Sequence, residues 1–152
     1  MRSPLAKSEA DDRALRTYVK LMRAAGSFTS RAHQHLEEAG LTFSQFAVLD
    51  ALYHLGPLHL KQLAEKMLRT SGNLTMVVDN LEKCGLVQRK QGAKDRRFFS
   101  VHLTRKGRST FERVFPQHVQ ILVSEMSRLT GEEQEELGRL CRKLGRTTTN
   151  RG

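Results

Sequence analysis

Three observations predict a mainly α-helical fold carrying a small antiparallel β wing, a winged helix-turn-helix. Apolar residues recur at helical spacing in six segments. Two of these are short and stand next to each other, from about 60–67 and 71–84. A two-stranded hairpin with a basic tip follows at about 86–103. The last two features lie in one stretch, His59 to Thr104, which reads HLKQLAEKMLRTSGNLTMVVDNLEKCGLVQRKQGAKDRRFFSVHLT.

Charge singles out the same stretch. The chain has 152 residues, enough for one domain with its own core, and a net charge of +10. From Lys61 to Arg108 there are 12 Lys/Arg against 4 Asp/Glu, and elsewhere 14 against 12. A basic patch confined to one segment is the electrostatic footprint of a nucleic-acid binder. The two cysteines, Cys84 and Cys141, are too few for a disulfide scaffold and fit a reducing cytosol. No segment approaches membrane-spanning length. The expectation is a cytoplasmic protein with no membrane partner.

Taken in order, residues 1–11 carry no periodicity and are expected to be a flexible N-terminus. Leu15, Val19, Met22, Ala25, Phe28, Ala32 and Leu36 then mark a long helix over about 12–39, with Gly40 as its C-terminal cap. A helix this long at one end of a small domain is expected to pack against a partner chain. Thr42 and Gln45 form a capping box for the second helix, which Gly56-Pro57 ends. Leu58 starts a minimal strand. Leu63, Ala64 and Met67 point the third helix inward, although His59 is a poor N-cap type.

Thr70 is the expected cap of the fourth helix, and Gly85 its stop. Leu74, Val77, Val78 and Leu81 form its apolar stripe. The other side carries Asn73, Met76, Asn80 and Lys83, with Ser71, Gly72 and Thr75 around the first turns. Small uncharged hydrogen-bonding groups there suit close approach to base edges, and a helix N-terminus favours a nearby phosphate. The hairpin tip, QGAKDRR, brings Lys94, Arg96 and Arg97 together, as a wing that reaches the DNA backbone or minor groove would. Asp95 among them is expected to hold a neighbouring arginine in one rotamer, since a carboxylate matches the guanidinium fork.

Thr104 caps the fifth helix, about 106–129. Pro116 inside it cannot donate to the carbonyl of Glu112, so a kink or break is expected. Thr130 and Glu133 form a capping box for the last helix, about 131–144, whose stripe is Leu137, Leu140, Cys141 and Leu144. Cys84 and Cys141 are both expected to be buried and inert, and 146–152 to be a flexible tail.

No catalytic constellation stands out: there is no nucleophile elbow, phosphate loop or dinucleotide fingerprint. His33 and His35 are two residues apart on one helix and point to different faces, and no Cys/His cluster has zinc spacing. The expectation is a protein that is not an enzyme and holds no metal or cofactor.

The order of elements, together with Leu63-Ala64, SGNLTMVVDNLEKCGL (71–86), Asp95-Arg96-Arg97, Leu103-Thr104 and Gly107, resembles the MarR family of winged helix-turn-helix regulators over roughly residues 13–145. The resemblance implies a homodimer of one domain, 12–145. Its DNA-binding part would be 42–104 and its dimerisation part 12–39 and 105–145. Two recognition helices would read a pseudo-palindromic operator in double-stranded DNA, with half-sites about one helical turn apart. It places Ser71, Gly72, Asn73, Thr75 and Met76 on the DNA, and Arg97, oriented by Asp95, in the minor groove. Many members carry Arg where this chain has Met76, and Met suits a thymine methyl rather than guanine.

SGNLT at 71–75, YHLGP at 53–57 and FPQH at 115–118 are similar to the branch that answers quinones and other phenolic compounds. The resemblance implies a small aromatic ligand held by Tyr18, Phe46, Asp50 and His118, between the dimer base and the reading head. Two rings would stack on it, and a carboxylate and an imidazole would bind its oxygens. The function expected is a sequence-specific regulator, a repressor released by that ligand. The alternatives are a non-specific nucleic-acid-binding protein and a redox-responsive regulator of the same family.

Overall fold

The computed structural model describes residues 4–67 and 71–145. Along the chain run α1 (Glu9–Glu38), α2 (Phe43–Leu55), β1 (Leu58–His59), α3 (Leu60–Met67), α4 (Ser71–Lys83), β2 (Val87–Gln91), β3 (Phe99–Leu103), α5 (Arg105–Met126) and α6 (Gly131–Gly145). The strands form one antiparallel sheet in the order β1-β3-β2. Val101 at its centre faces Leu58 on one side and Arg89 on the other.

Local chemistry explains most boundaries. The Ser8 side chain accepts from the Asp11 N–H, so α1 starts at Glu9 rather than near residue 12, and 9–11 are helical rather than part of a flexible end. Gly40 and Gly85 both take positive φ. The residue after each donates back to the carbonyl five residues earlier, Leu41 to Leu36 and Leu86 to Leu81, which completes a glycine-type helix stop. Thr42 and Gln45 make both halves of the expected capping box, as do Thr130 and Glu133. The weak start of α3 is secured from inside, because the His59 N–H donates to Gln62 Oε1 at 2.8 Å.

Two expectations are not met in full. Of the kink or break expected at Pro116, no break occurs: α5 runs on through it. Its other turns and the packing of Phe111, Val114 and Phe115 on α2 outweigh one missing bond. Both cysteines are exposed, not buried. Cys141 lies on α6, which has no buried residue, so an apolar stripe in sequence does not translate into burial within this chain.

The core is one cluster joining α1, α2, α3, α4, the sheet and α5, with Leu36, Leu49, Leu63, Leu74, Val78, Leu81, Val101 and Phe111 at most 1% exposed. Phe46, Tyr53, Phe111 and Phe115 interleave between α2 and α5. The first two thirds of α1 stay outside the core: Leu15, Tyr18, Val19 and Met22 are exposed, as are Leu137, Leu140 and Leu144 of α6.

Candidate nucleic-acid interface and ligand groove

α4 is fixed by its apolar side. Leu74, Val78 and Leu81 are buried, which turns Asn73, Thr75, Met76 and Asn80 outward together. Met76, at 68% exposure, is the largest apolar group on that face. Ser71 and Gly72 are described by backbone only, as the first two residues of α4, and Thr70 lies outside the described residues.

The wing tip follows from Gly92. A side chain there would collide with the Asp95 carbonyl oxygen, and the Gly92 N–H donates to the Phe98 carbonyl at 2.8 Å. This closes the loop and projects Lys94, Arg96 and Arg97, all exposed. Arg97 is held by Asp95 at two points, Nε to Oδ1 at 3.1 Å and Nη2 to Oδ2 at 3.0 Å; the Arg97 backbone N–H also donates to Oδ1. Those bonds, the side-chain ones first, hold the Asp95 carboxyl below its usual range, and Asp95 in turn raises Arg97. The expected brace is therefore formed without DNA, and the guanidinium still points to solvent at 86% side-chain exposure.

Arg89 on β2 ties the wing to α4. Its guanidinium reaches Asp79 at 2.5 Å and Glu82 at 3.1 Å, and its backbone N–H donates to Glu82 at 2.8 Å. Sequence reasoning missed this clamp. The only signal was an arginine within a strand, between partners on a preceding helix.

Of the four residues expected around a ligand, the structure brings three together. Phe46 is buried, with its ring 4.6 Å from that of His118, and Asp50 is close enough to act on His118 electrostatically. Burial first, then the neighbouring His35, push the His118 imidazole below its ordinary range; Asp50 opposes this and His33 adds to it. Tyr18 does not join them. It is exposed on α1, 17 residues before His35, which at 1.5 Å per residue is about 25 Å along the helix. Phe46 belongs to the core, so its ring is a wall rather than a free stacking surface.

Beside this cluster is an open groove of about 640 Å³, mostly apolar, bounded by Phe43, Asp50 and His54 of α2, Lys66 and Met67 of α3, and Phe115 of α5. Asp50 and His54, one turn apart on α2, pair along one wall of it at 3.0 Å. Its size falls within the usual range for small-molecule sites. Among the described residues, no group of three or more His, Cys, Asp or Glu could hold a metal ion, and no helix is long and apolar enough to cross a membrane.

The family model described as MarR family matches residues 41–98, the segment from the cap of α2 to the wing. The HTH-type transcriptional regulator YkoM of Bacillus subtilis is 36% identical over 137 residues, covering 90% of this chain and 89% of that one. The HTH-type transcriptional regulator MhqR of the same organism is 34% identical over 134 residues, covering 88% and 92%. Among solved structures, Bordetella bronchiseptica BpsR, whose DNA binding is regulated by 6-hydroxynicotinic acid, superposes with a TM-score of 0.78 at 27% identity, covering 86% of this chain and 99% of that one. These relatives are regulators, not enzymes. The helix-turn-helix, the wing and matches along nearly the whole chain agree: this protein belongs to the MarR family of transcriptional regulators.

Proposed function

We propose that the protein is a homodimeric repressor that reads a pseudo-palindromic operator in double-stranded DNA and is released by a small aromatic ligand, phenolic or quinone-like. It would work in the cytoplasm. The observation that carries the DNA reading is one surface: the uncharged outward residues of α4, Asn73, Thr75, Met76 and Asn80, beside a wing whose Arg97 is already held in place. Neutral donors and acceptors on the helix supply base readout; Lys94, Arg96 and Arg97 supply backbone and minor-groove contact. The apolar residues left exposed on α1 and α6 support a dimer built from 12–39 and 105–145, since a single chain leaves both stripes in water.

The groove between α2, α3 and α5 supports the ligand reading, as does the regulation of the structural neighbour BpsR by 6-hydroxynicotinic acid, a hydroxylated aromatic compound. A ligand that binds there releases DNA only by favouring a head spacing that the operator does not accept, through a difference in affinity of a few kcal/mol between the two states.

Selection of genomic fragments by the purified protein gives the operator, and a salt titration on operator and scrambled duplexes tests the reading. The operator is expected to bind more tightly at every salt concentration. Equal affinity throughout would leave only charge-driven, non-specific binding.

A further inference from the structure

α1 and α5 run in opposite directions, as two of their contacts show. The His35 and His118 rings, both buried, stack with centroids 6.3 Å apart. Farther from the core, Arg31 Nη2 lies 2.6 Å from Glu125 Oε2. Arg31 is four residues before His35 on α1, and Glu125 is seven after His118 on α5. At 1.5 Å per residue, these contacts are about 6 Å apart on one helix and about 10 Å apart on the other. One contact alone leaves a pivot; the second fixes the angle between the helices.

The Glu125 side chain is 14% exposed, and the same oxygen has Arg128 Nη2 at 3.7 Å. Arg128 belongs to the turn between α5 and α6. There Gln134 of α6 donates from Nε2 to the carbonyls of Met126 and Leu129, both at 3.1 Å, satisfying groups that a helix end leaves open. Glu125 is therefore where α1, the end of α5 and the start of α6 are tied together. Ion pairs of this kind add little net stability, and their best-attested use is to fix register. The opposite end of α5 is attached to the recognition helix, since Thr104 Oγ1 donates to the Gly85 carbonyl. Glu125 lies 20 residues beyond Arg105, the first of α5, about 30 Å along the helix. At that distance it acts on DNA only through the helix that carries it.

We propose that Arg31 and Glu125 are positioning residues that hold α5 at one angle to α1 and thereby select operators by the distance between their half-sites. The proposal rests on the homodimeric reading above. In such a dimer the exposed apolar stripes of α1 and α6 belong to the base shared by the two copies, and α5 carries each reading head away from it. The angle at Glu125 then sets how far apart the two recognition helices stand. Half-sites one base pair nearer or farther are rotated as well as shifted, so a fixed angle rejects them and a looser one accepts them. Without the ion pair the two helices keep their apolar contact, Ala32 and Leu36 of α1 being buried, but lose the bond that sets the angle.

The test uses the full chain and duplexes with two selected half-sites at the operator spacing, with one base pair removed, or with one added. A further duplex carries a single half-site. The Arg31 side chain is 43% exposed, so Arg31→Met leaves the core closed. This variant is expected to reduce the preference for the operator spacing about five-fold or more, the lower end of coupling between distant sites. Its affinity for the single half-site should stay that of the parent, because no contact with DNA is removed. Glu125→Gln should match it, and the two together should lose no more than either alone, as partners in one interaction do. An unchanged spacing preference in Arg31→Met, an equal loss on the single half-site, or additive losses in the double variant overturn the proposal. If Glu125→Gln does not fold, Arg31→Met decides alone. If the parent protein shows no spacing preference, the homodimeric reading falls, and this proposal with it; a preference that Arg31→Met leaves intact removes only this one.

Discussion

Asp95 grips Arg97 through two parallel hydrogen bonds while leaving the outer edge of the guanidinium free. An arginine held in this way gives up less side-chain freedom when it enters a DNA groove. Arg97→Ala is expected to weaken operator binding about ten-fold or more, roughly 1.4 kcal/mol, and to reduce the salt slope by about 1. Asp95→Asn should lose less, because an amide still accepts one of the bonds. Fluorescence anisotropy across a salt series measures both effects, and parent-like affinity in Arg97→Ala would place the wing off the DNA.

Met76 stands at the centre of the outward face of α4 with no charge of its own. Met76→Arg is expected to change which base is preferred at one position of each half-site, towards guanine, by about 1–3 kcal/mol of discrimination. A binding selection with randomised half-sites reads this directly. An unchanged base preference would mean that residue 76 touches only the backbone.

Arg89 binds β2 to two carboxylates of α4, so helix and wing behave as one piece. Arg89→Met is expected to cost about 1–2 kcal/mol, the range for a charge-assisted bond whose partners can return to water. For a chain of this length that amounts to a fall in Tm of a few degrees. Operator affinity should fall as well, since the two contact elements lose their fixed spacing. A full drop in stability without any change in affinity would show that the clamp matters for folding alone.

His118 gives the stability a pH dependence whose sign can be worked out. Its folded-state pKa lies below the ordinary imidazole value. Near pH 6 the unfolded chain therefore binds more protons, and stability rises with pH. The contribution of the neutral ring is fully present above about pH 6.5 and is lost as pH falls below that, at no more than about 1.4 kcal/mol per pH unit, until the folded-state pKa is passed. Urea unfolding at pH 7.5 and 5.5 tests this, with His118→Gln expected to flatten the difference. A stability that rises on acidification would contradict the buried, neutral assignment.

Much of the fold was legible because its signals are local. Gly40, Gly85, Thr42 with Gln45, and Thr130 with Glu133 mark helix ends through bonds that span only three to five residues. The same holds for Asp95 and Arg97, two residues apart. Long-range partners left no such trace. Neither the clamp of Arg89 nor the stacking of His35 on His118 can be read from spacing, because packing between elements decides them. Cys141 misled for the same reason: an apolar stripe does not say which chain covers it. Phe46 was legible as part of the apolar face of α2, and the structure buries it there, so Phe46→Ala, at about 3–5 kcal/mol for a buried ring, would test packing before it tested ligand response.

Gly107 adds a mechanical consequence. A side chain at this position would overlap the Leu86 carbonyl oxygen, so the first turn of α5 lies directly against the end of α4. Thr104 Oγ1 donates to the Gly85 carbonyl at 2.6 Å, and Lys106 Nζ to that of Cys84 at 2.9 Å. The joint has no slack, and α5 becomes a lever arm with the reading head fixed to one end. Over its 22 residues, roughly 33 Å, a tilt of about 5° carries the head some 3 Å. A displacement of that order approaches the rise of one base pair, so in the proposed dimer a change at the far end of α5 too small to disturb its packing would put the two heads out of step with the DNA.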